Sequence, residues 1–329
     1  MNEVKEEVLP PETVAGCDDG SVDMNVGGQA VIEGVMMRSP TAIATAVRLP
    51  DGAIEIDTKP FTSFVKVHTF LDVPVLRGAV NFFEMLVIGV KTLNWSADVQ
   101  MQYEDRRNGR ETGKKSLVNS LMLGGSIVLA FVIALGVFFA LPIWAATLLG
   151  LSKGALLFNL VAGSIRLALF LLYVFLISRM PDVKRIFRYH GAEHKSIFAF
   201  ESSLPLVVES ARSKSRFHPR CGTSFILIVA LFSIFLYGIA DSLFPLVFGH
   251  MQSYPERLVT HLSLLPLVAG VSYELLKLSG KFRSNRLARA LIAPGLWLQK
   301  MTTAVPDDDM LEVALCALSA AIEYGESAT

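Results

Sequence analysis

Residues 155–178 read ALLFNLVAGSIRLALFLLYVFLIS, a run with a single charged side chain, Arg166. A hydrocarbon layer about 30 Å thick takes about 20 helical residues, so this stretch is long and apolar enough to cross a bilayer. Three further windows have the same character, at residues 121–149, 222–249 and 258–278. All four are read as helices, because hydrocarbon offers no partner to an open backbone N–H or C=O. Residues 150–154 leave room only for a tight turn between the first two spans, and the short polar connection 250–257 joins the last two. Two antiparallel hairpins follow, the first with a kink expected at Pro142.

Composition agrees with a polytopic α-helical membrane protein: over 329 residues, 52% are hydrophobic and 18% charged, with a mean hydropathy of +0.48. The formal net charge is zero, so no global basic field marks the chain as a nucleic-acid binder. Cys17, Cys221 and Cys316 are scattered and odd in number, which argues against a disulfide framework and for a reducing compartment. Lysines and arginines are one-sided along the chain. Arg106, Arg107, Arg110, Lys114 and Lys115 precede the first span, Arg179 to Arg220 supply nine between the second and third, and five from Lys277 to Arg289 follow the fourth; the other two loops hold Lys153 and Arg257. Short basic loops stay cytoplasmic. The expected protein is therefore a multi-pass membrane protein with both termini in the cytoplasm and the lipid bilayer as its first partner.

The rest of the chain divides by texture. Residues 1–25 are acidic and polar, without the apolar core of a signal peptide, and read as a disordered tail. Residues 26–75 carry short β-branched runs, with Leu49-Pro50-Asp51-Gly52 as a hairpin turn between 42–48 and 53–57, and form a small β-rich cytosolic N-terminal domain. Residues 76–115 hold a helix, Leu76 to Trp95, and a linker; Phe82, Phe83, Leu86, Val87 and Leu93 place that helix either at the membrane interface, as a re-entrant element, or in a core. The first hairpin occupies 116–178, a cytosolic loop 179–221, the second hairpin 222–278, and a helical C-terminal tail 279–329, whose Leu311, Ala314, Leu315 and Leu318 form an apolar face for the β-rich domain or the loop.

Chemistry concentrates in the cytosolic loop. In Tyr189-His190-Gly191-Ala192-Glu193-His194-Lys195, positions three and four apart on a helix share a face, so His190, Glu193 and His194 converge. His-x-x-Glu-His is the pattern of inverted zincins, in which two imidazoles bind zinc and the carboxylate moves protons. Gly191 inside the motif weakens the helix. Two imidazoles do not complete a zinc site. His218-Pro219-Arg220-Cys221 closes the same loop at the mouth of the third span, and Cys221 or His218 would finish a divalent metal site, zinc by donor chemistry. The competing reading has the histidines packing at the headgroup boundary and Cys221 as a small buried residue.

The stretches Gly27-Gly28-Gln29-Ala30-Val31-Ile32-Glu33-Gly34-Val35-Met36-Met37-Arg38, Tyr189 to Lys195 and His218-Pro219-Arg220-Cys221-Gly222-Thr223-Ser224-Phe225 resemble those of the bacterial YqhQ-like family. The resemblance runs from about residue 25 to the final helix. It implies an uncharacterised membrane family sometimes labelled a predicted metal-dependent enzyme, with Gln29, Glu33, Arg38, His190, Glu193, His194, His218, Arg220 and Cys221 as its marked positions.

Glu33 is read either as a further ligand or base or as one half of a buried ion pair, and Arg38 as an anion anchor or a structural cation. Arg166, near mid-bilayer, calls for a partner, with Asp241 and Glu274 within reach of a long side chain. The functional expectation is a metal-dependent hydrolase at the membrane surface, with Glu193 and Glu33 as catalytic candidates and His190, His194, His218 and Cys221 as metal candidates. The alternative is a scaffold or export-machinery accessory, held by a structural metal or hydrogen-bonded clasp and docked to another membrane protein.

Overall fold

The computed structural model describes residues 26–109, 117–150, 156–281 and 286–327. The expected tail with Cys17, the 151–155 turn with Lys153, and the basic residues Arg110, Lys114, Lys115 and Arg283 lie outside the described residues. Four strands, β1 (Gly27–Val31), β2 (Gly34–Arg38), β3 (Ala42–Arg48) and β4 (Ile54–Pro60), form an antiparallel meander in sequence order. The β3–β4 turn is the expected one: Leu49 N–H donates to Ala53 and Gly52 N–H to Leu49, with Gly52 in the left-handed region at φ 94°. The β1–β2 turn places Glu33 at φ 54°, a conformation that costs a residue with a Cβ about 1–2 kcal/mol.

Helix α1 (Phe64–Val67) and a single 3-10 turn lead into α2 (Leu76–Arg107). Among the described residues, four helices are long and apolar enough to cross a membrane. The first runs over Val128–Leu148, where α3 (Leu117–Leu135) passes through one π turn (Gly136–Ala140) into α4 (Leu141–Leu148); the others lie in α5 (Leu156–Ile177), α8 (Gly222–Phe248) and α9 (Tyr254–Lys281), the fourth starting four residues earlier than its window. Between them stand α6 (Pro181–Glu201) and α7 (Val208–Arg212), and the chain ends with α10 (Arg286–Thr302) and α11 (Asp308–Ser327).

Alternation along the strands gives the sheet two apolar faces. Val35, Met37, Ala44 and Ala46 pack on Tyr189, Ala192 and Ile197 of α6 and on Met310, Ala314 and Leu318 of α11. Val31, Met36 and Val47 pack on Met85, Ile88, Trp95 and Val99 of α2. The sheet is thus sandwiched between helices. The C-terminal helix meets both of its expected neighbours, and α2 is in part a core helix. The other part of α2 leaves the sheet for α9, where Gly78 and Gly270 let the backbones close: a Cβ at 270 would meet the Val75 carbonyl oxygen at 2.1 Å. Helix α8 lies between α5, α9 and α10, with Leu227 packed on Val174 and Leu298.

The polar groups of the apolar helices pair differently from the expectation. Asp241, with no side-chain exposure, holds Arg257 Nε at 3.1 Å and His261 Nε2 at 3.0 Å; His261 stacks on Tyr237 with 4.1 Å between ring centroids. Glu274 takes Arg77 of α2 in a two-pronged pair at 2.7 Å. Arg166 instead donates from Nε to the Phe138 carbonyl at 2.8 Å and lies over the Phe139 ring. The reason is Pro142. It has no N–H for the α-helical bond to the carbonyl four residues earlier, so that carbonyl is open to a side-chain donor.

Gly270→Ala is expected to force Val75 away from α9 and destabilise the protein by roughly 1–3 kcal/mol. A thermal melt of the detergent-solubilised variant that superimposes on wild type would refute the close crossing.

Candidate metal centre

Helix α6 starts on Pro181 at its first position and runs unbroken through Gly191. The glycine has a packing reason: a Cβ there would meet the Ala304 carbonyl oxygen at 2.1 Å. Residues 302–306, which leave α10, cross α6 at this point, tied by Ala304 N–H donating to the Phe187 carbonyl at 2.8 Å. The loop before α8 is fixed to the same strap. Gln299, fully buried, accepts from His218 N–H and donates to the His218 carbonyl, both at 2.8 Å, and Arg216 donates to the Thr303 carbonyl at 2.6 Å.

These contacts orient the two imidazoles. His190 Nδ1 lies 2.8 Å from the Thr302 carbonyl and His194 Nδ1 2.5 Å from the Arg216 carbonyl. A carbonyl only accepts, so both Nδ1 atoms carry their protons, and chemistry is left to the two Nε2 atoms. His190 Nε2 stands 3.2 Å from Cys221 Sγ. His194 Nε2 is buried with no hydrogen-bond partner among the described residues. One ligand atom from each of His190, His194 and Cys221 falls within 4.8 Å of the others. Two Nε2 atoms set by backbone carbonyls and one sulfur make a donor set that suits zinc, which is ordinarily supported by such outer hydrogen bonds.

Cys221 caps the N-terminus of α8, its sulfur accepting from Thr223 N–H at 3.4 Å. Burial opposes ionisation of this thiol, yet the imidazoles of His190 and His194 outweigh it and hold the thiol well below its ordinary value. Burial likewise opposes charge on His190, and the facing Cys221 reverses the effect, pushing the imidazole up to about 9. Both directions favour a thiolate facing an imidazolium over the neutral pair. Glu193, 5% exposed, sits beside them. Among the described residues one carboxylate oxygen has no hydrogen-bond partner, and the Gly28 backbone lies against the group. Burial raises its pKa above the ordinary carboxyl value, against the pull of His190 and His194. Gly28 escapes a motif search centred on titratable groups, although a Cβ there would meet Glu193 Cγ at 2.8 Å.

The other expected site residues lie elsewhere. His218 turns Nε2 to Glu201 at 3.3 Å and accepts at Nδ1 from Arg220 N–H at 3.3 Å, while its ring neighbours that of His194. Arg220 also pairs with Glu201. Glu33 forms a two-pronged pair with Arg185 and accepts from the Tyr189 hydroxyl at 3.5 Å, so its strained turn joins the sheet to α6. Arg38 stands over the Phe61 ring at 5.2 Å, and Gln29 donates to the Gly89 carbonyl of α2 at 3.5 Å.

Comparison with known proteins places this chain. A family model described as a protein of unknown function, DUF1385, matches residues 73–324. The uncharacterized protein YqhQ of Bacillus subtilis (strain 168) is 35% identical over 296 residues, covering 88% of this chain and 89% of the relative. Neither description assigns a metal or a reaction. No solved structure matches.

In metal-free protein the absorbance of the Cys221 thiolate near 240 nm, taken as the difference from Cys221→Ser, should persist at neutral pH and fade only as acid protonates a thiol held below its ordinary value. His190→Ala should move that transition upward. An unmoved transition would show that the imidazole does not set the thiol.

Proposed function

The chain belongs to the DUF1385 family, and from that premise we propose that it is a four-span protein of the bacterial inner membrane holding a divalent metal, zinc by donor chemistry, at its cytoplasmic surface. Both termini lie in the cytoplasm in this reading, supported by the basic residues flanking the apolar helices at the His190 end. The ligands are His190, His194 and Cys221. The observation that carries the proposal is the commitment of both Nδ1 atoms to carbonyls, with both Nε2 atoms turned toward one sulfur.

Three protein ligands leave a position for substrate, the mark of a catalytic rather than a structural zinc site. Zinc bound there supplies Lewis acidity to a carbonyl or phosphoryl oxygen. Glu193 is the proton carrier of the proposed hydrolysis, since it is buried, has a raised pKa and is open at one oxygen. Glu33, committed to Arg185, and His218, committed to Glu201, do not enter it. The substrate class is membrane-associated, a lipid headgroup or a peptide emerging at the bilayer surface.

A second reading has its own support. His194 is 1% and Cys221 7% exposed, and the cluster ties α6, the start of α8 and the 302–306 strap together. A metal knot closed by the nearby Glu193, whose carboxylate would have to move in to join the three grouped donors, would fix a cytoplasmic scaffold for another membrane protein.

Elemental analysis of purified protein separates these outcomes. Wild type should carry one zinc per chain, and His190→Ala, His194→Ala and Cys221→Ser should lose it; metal-free wild type would end both readings. Glu193→Gln should keep the metal in the catalytic reading and weaken its retention in the scaffold reading.

A further inference from the structure

The geometry points to residues 61–90 as a re-entrant hairpin embedded in the acyl chains of one leaflet, the leaflet on the side of the His190 site. Two contacts set its depth. Val75, just before α2, touches Gly270, and the fourth apolar helix ends at Leu278, eight residues or about 12 Å further on. Phe82, seven residues along α2, packs its ring on Phe225 at 5.7 Å, three residues or about 5 Å inside the third apolar helix. The chain therefore descends from β4 through α1, turns near Val75, and climbs back along α2 to the sheet.

The side chains along this path match acyl surroundings. On the descent, Phe64, Val67 and Phe70 are 58%, 59% and 70% exposed. On the return, Phe83, Val87 and Val90 fall on one face at i, i+4 and i+7, opposite the Met85, Ile88 and Trp95 face that packs on the sheet. No part of the described chain covers that stripe, and it continues the apolar surface of α9, where Leu267 and Leu278 are 41% and 54% exposed. A partner protein would not require the stripe to lie at the depth of these two helices.

Two of the charged groups near the turn are tied to a third on α9, although the Asp72 side chain stays 60% exposed. Asp72 pairs with Arg77 at 3.4 Å, and Arg77 with Glu274, closing a three-membered ion cluster about 6 Å inside the end of α9. Ser63 and the Phe64 N–H both bond Glu84 of α2, pinning descent to return. Lys66 has the long stem needed to reach the headgroups. Fixed this way, the sheet lies close over the bilayer.

The inference rests on the bilayer reading of the four helices and not on the metal. The test is tryptophan quenching by brominated phosphatidylcholine in reconstituted vesicles, with wild-type emission subtracted. Phe70→Trp and Phe83→Trp should lose emission as Phe235→Trp, on the lipid side of α8, does, while Glu55→Trp on β4 should not. If Phe235→Trp is quenched and both hairpin variants behave like Glu55→Trp, the hairpin is in water and the inference fails. Protection of both variants from bromine and from aqueous acrylamide together would put a protein over the stripe and overturn it equally. An unquenched Phe235→Trp would instead remove the bilayer reading beneath it.

Discussion

The Ala304 carbonyl occupies the place where any side chain at position 191 would begin, and the strap it belongs to can rest on α6 only because that place is vacant. With the strap down, the Thr302 carbonyl reaches His190 and the Thr303 carbonyl holds Arg216, whose own carbonyl then meets His194. Orientation of both imidazoles depends on this one close approach between backbones. A glycine that weakens a helix in isolation by about 1 kcal/mol is here the condition for bringing α10, the 218 loop and α6 to a common point.

Two layers of structure share that helix. Its Tyr189, Ala192 and Ile197 face the sheet and α11, while His190 and His194 face the strap and the start of α8. The sheet in turn lends Gly28 to Glu193 and Glu33 to Arg185. The strained backbone of Glu33 is offset by a two-pronged ion pair across the layer boundary. The site is thus assembled from four distant stretches of chain. No single stretch contains its geometry.

The four apolar helices were plain in the sequence, because a membrane-length run of apolar residues has few other readings, and the 49–52 turn was plain from its proline and glycine. His190, Glu193 and His194 were legible for the same kind of reason, a fixed helical period. That Cys221 is the residue grouped with the two imidazoles was not, since the His218 Nε2 lies toward Glu201 only in the folded loop. Arg166 was misleading in another way. A search for its partner among acidic residues overlooks a backbone carbonyl released by a proline 24 positions earlier. Gly28 stood in a stretch shared with the family but gave no sign of its role, a missing side chain beside a carboxylate that only the packed layers bring near.

The Asp241 cluster has a consequence for how the molecule is made. Asp241 belongs to α8, while Arg257 and His261, which hold it, belong to α9. An aspartate entering hydrocarbon alone is expensive, and so is an arginine. Leaving the translocation channel one at a time, each helix would carry an uncompensated charge past lipid; leaving as a pair, they carry a salt bridge already closed. If the four helices lie in a bilayer, charge pairing across α8 and α9 makes the hairpin, and not the single helix, the cheaper unit to place there.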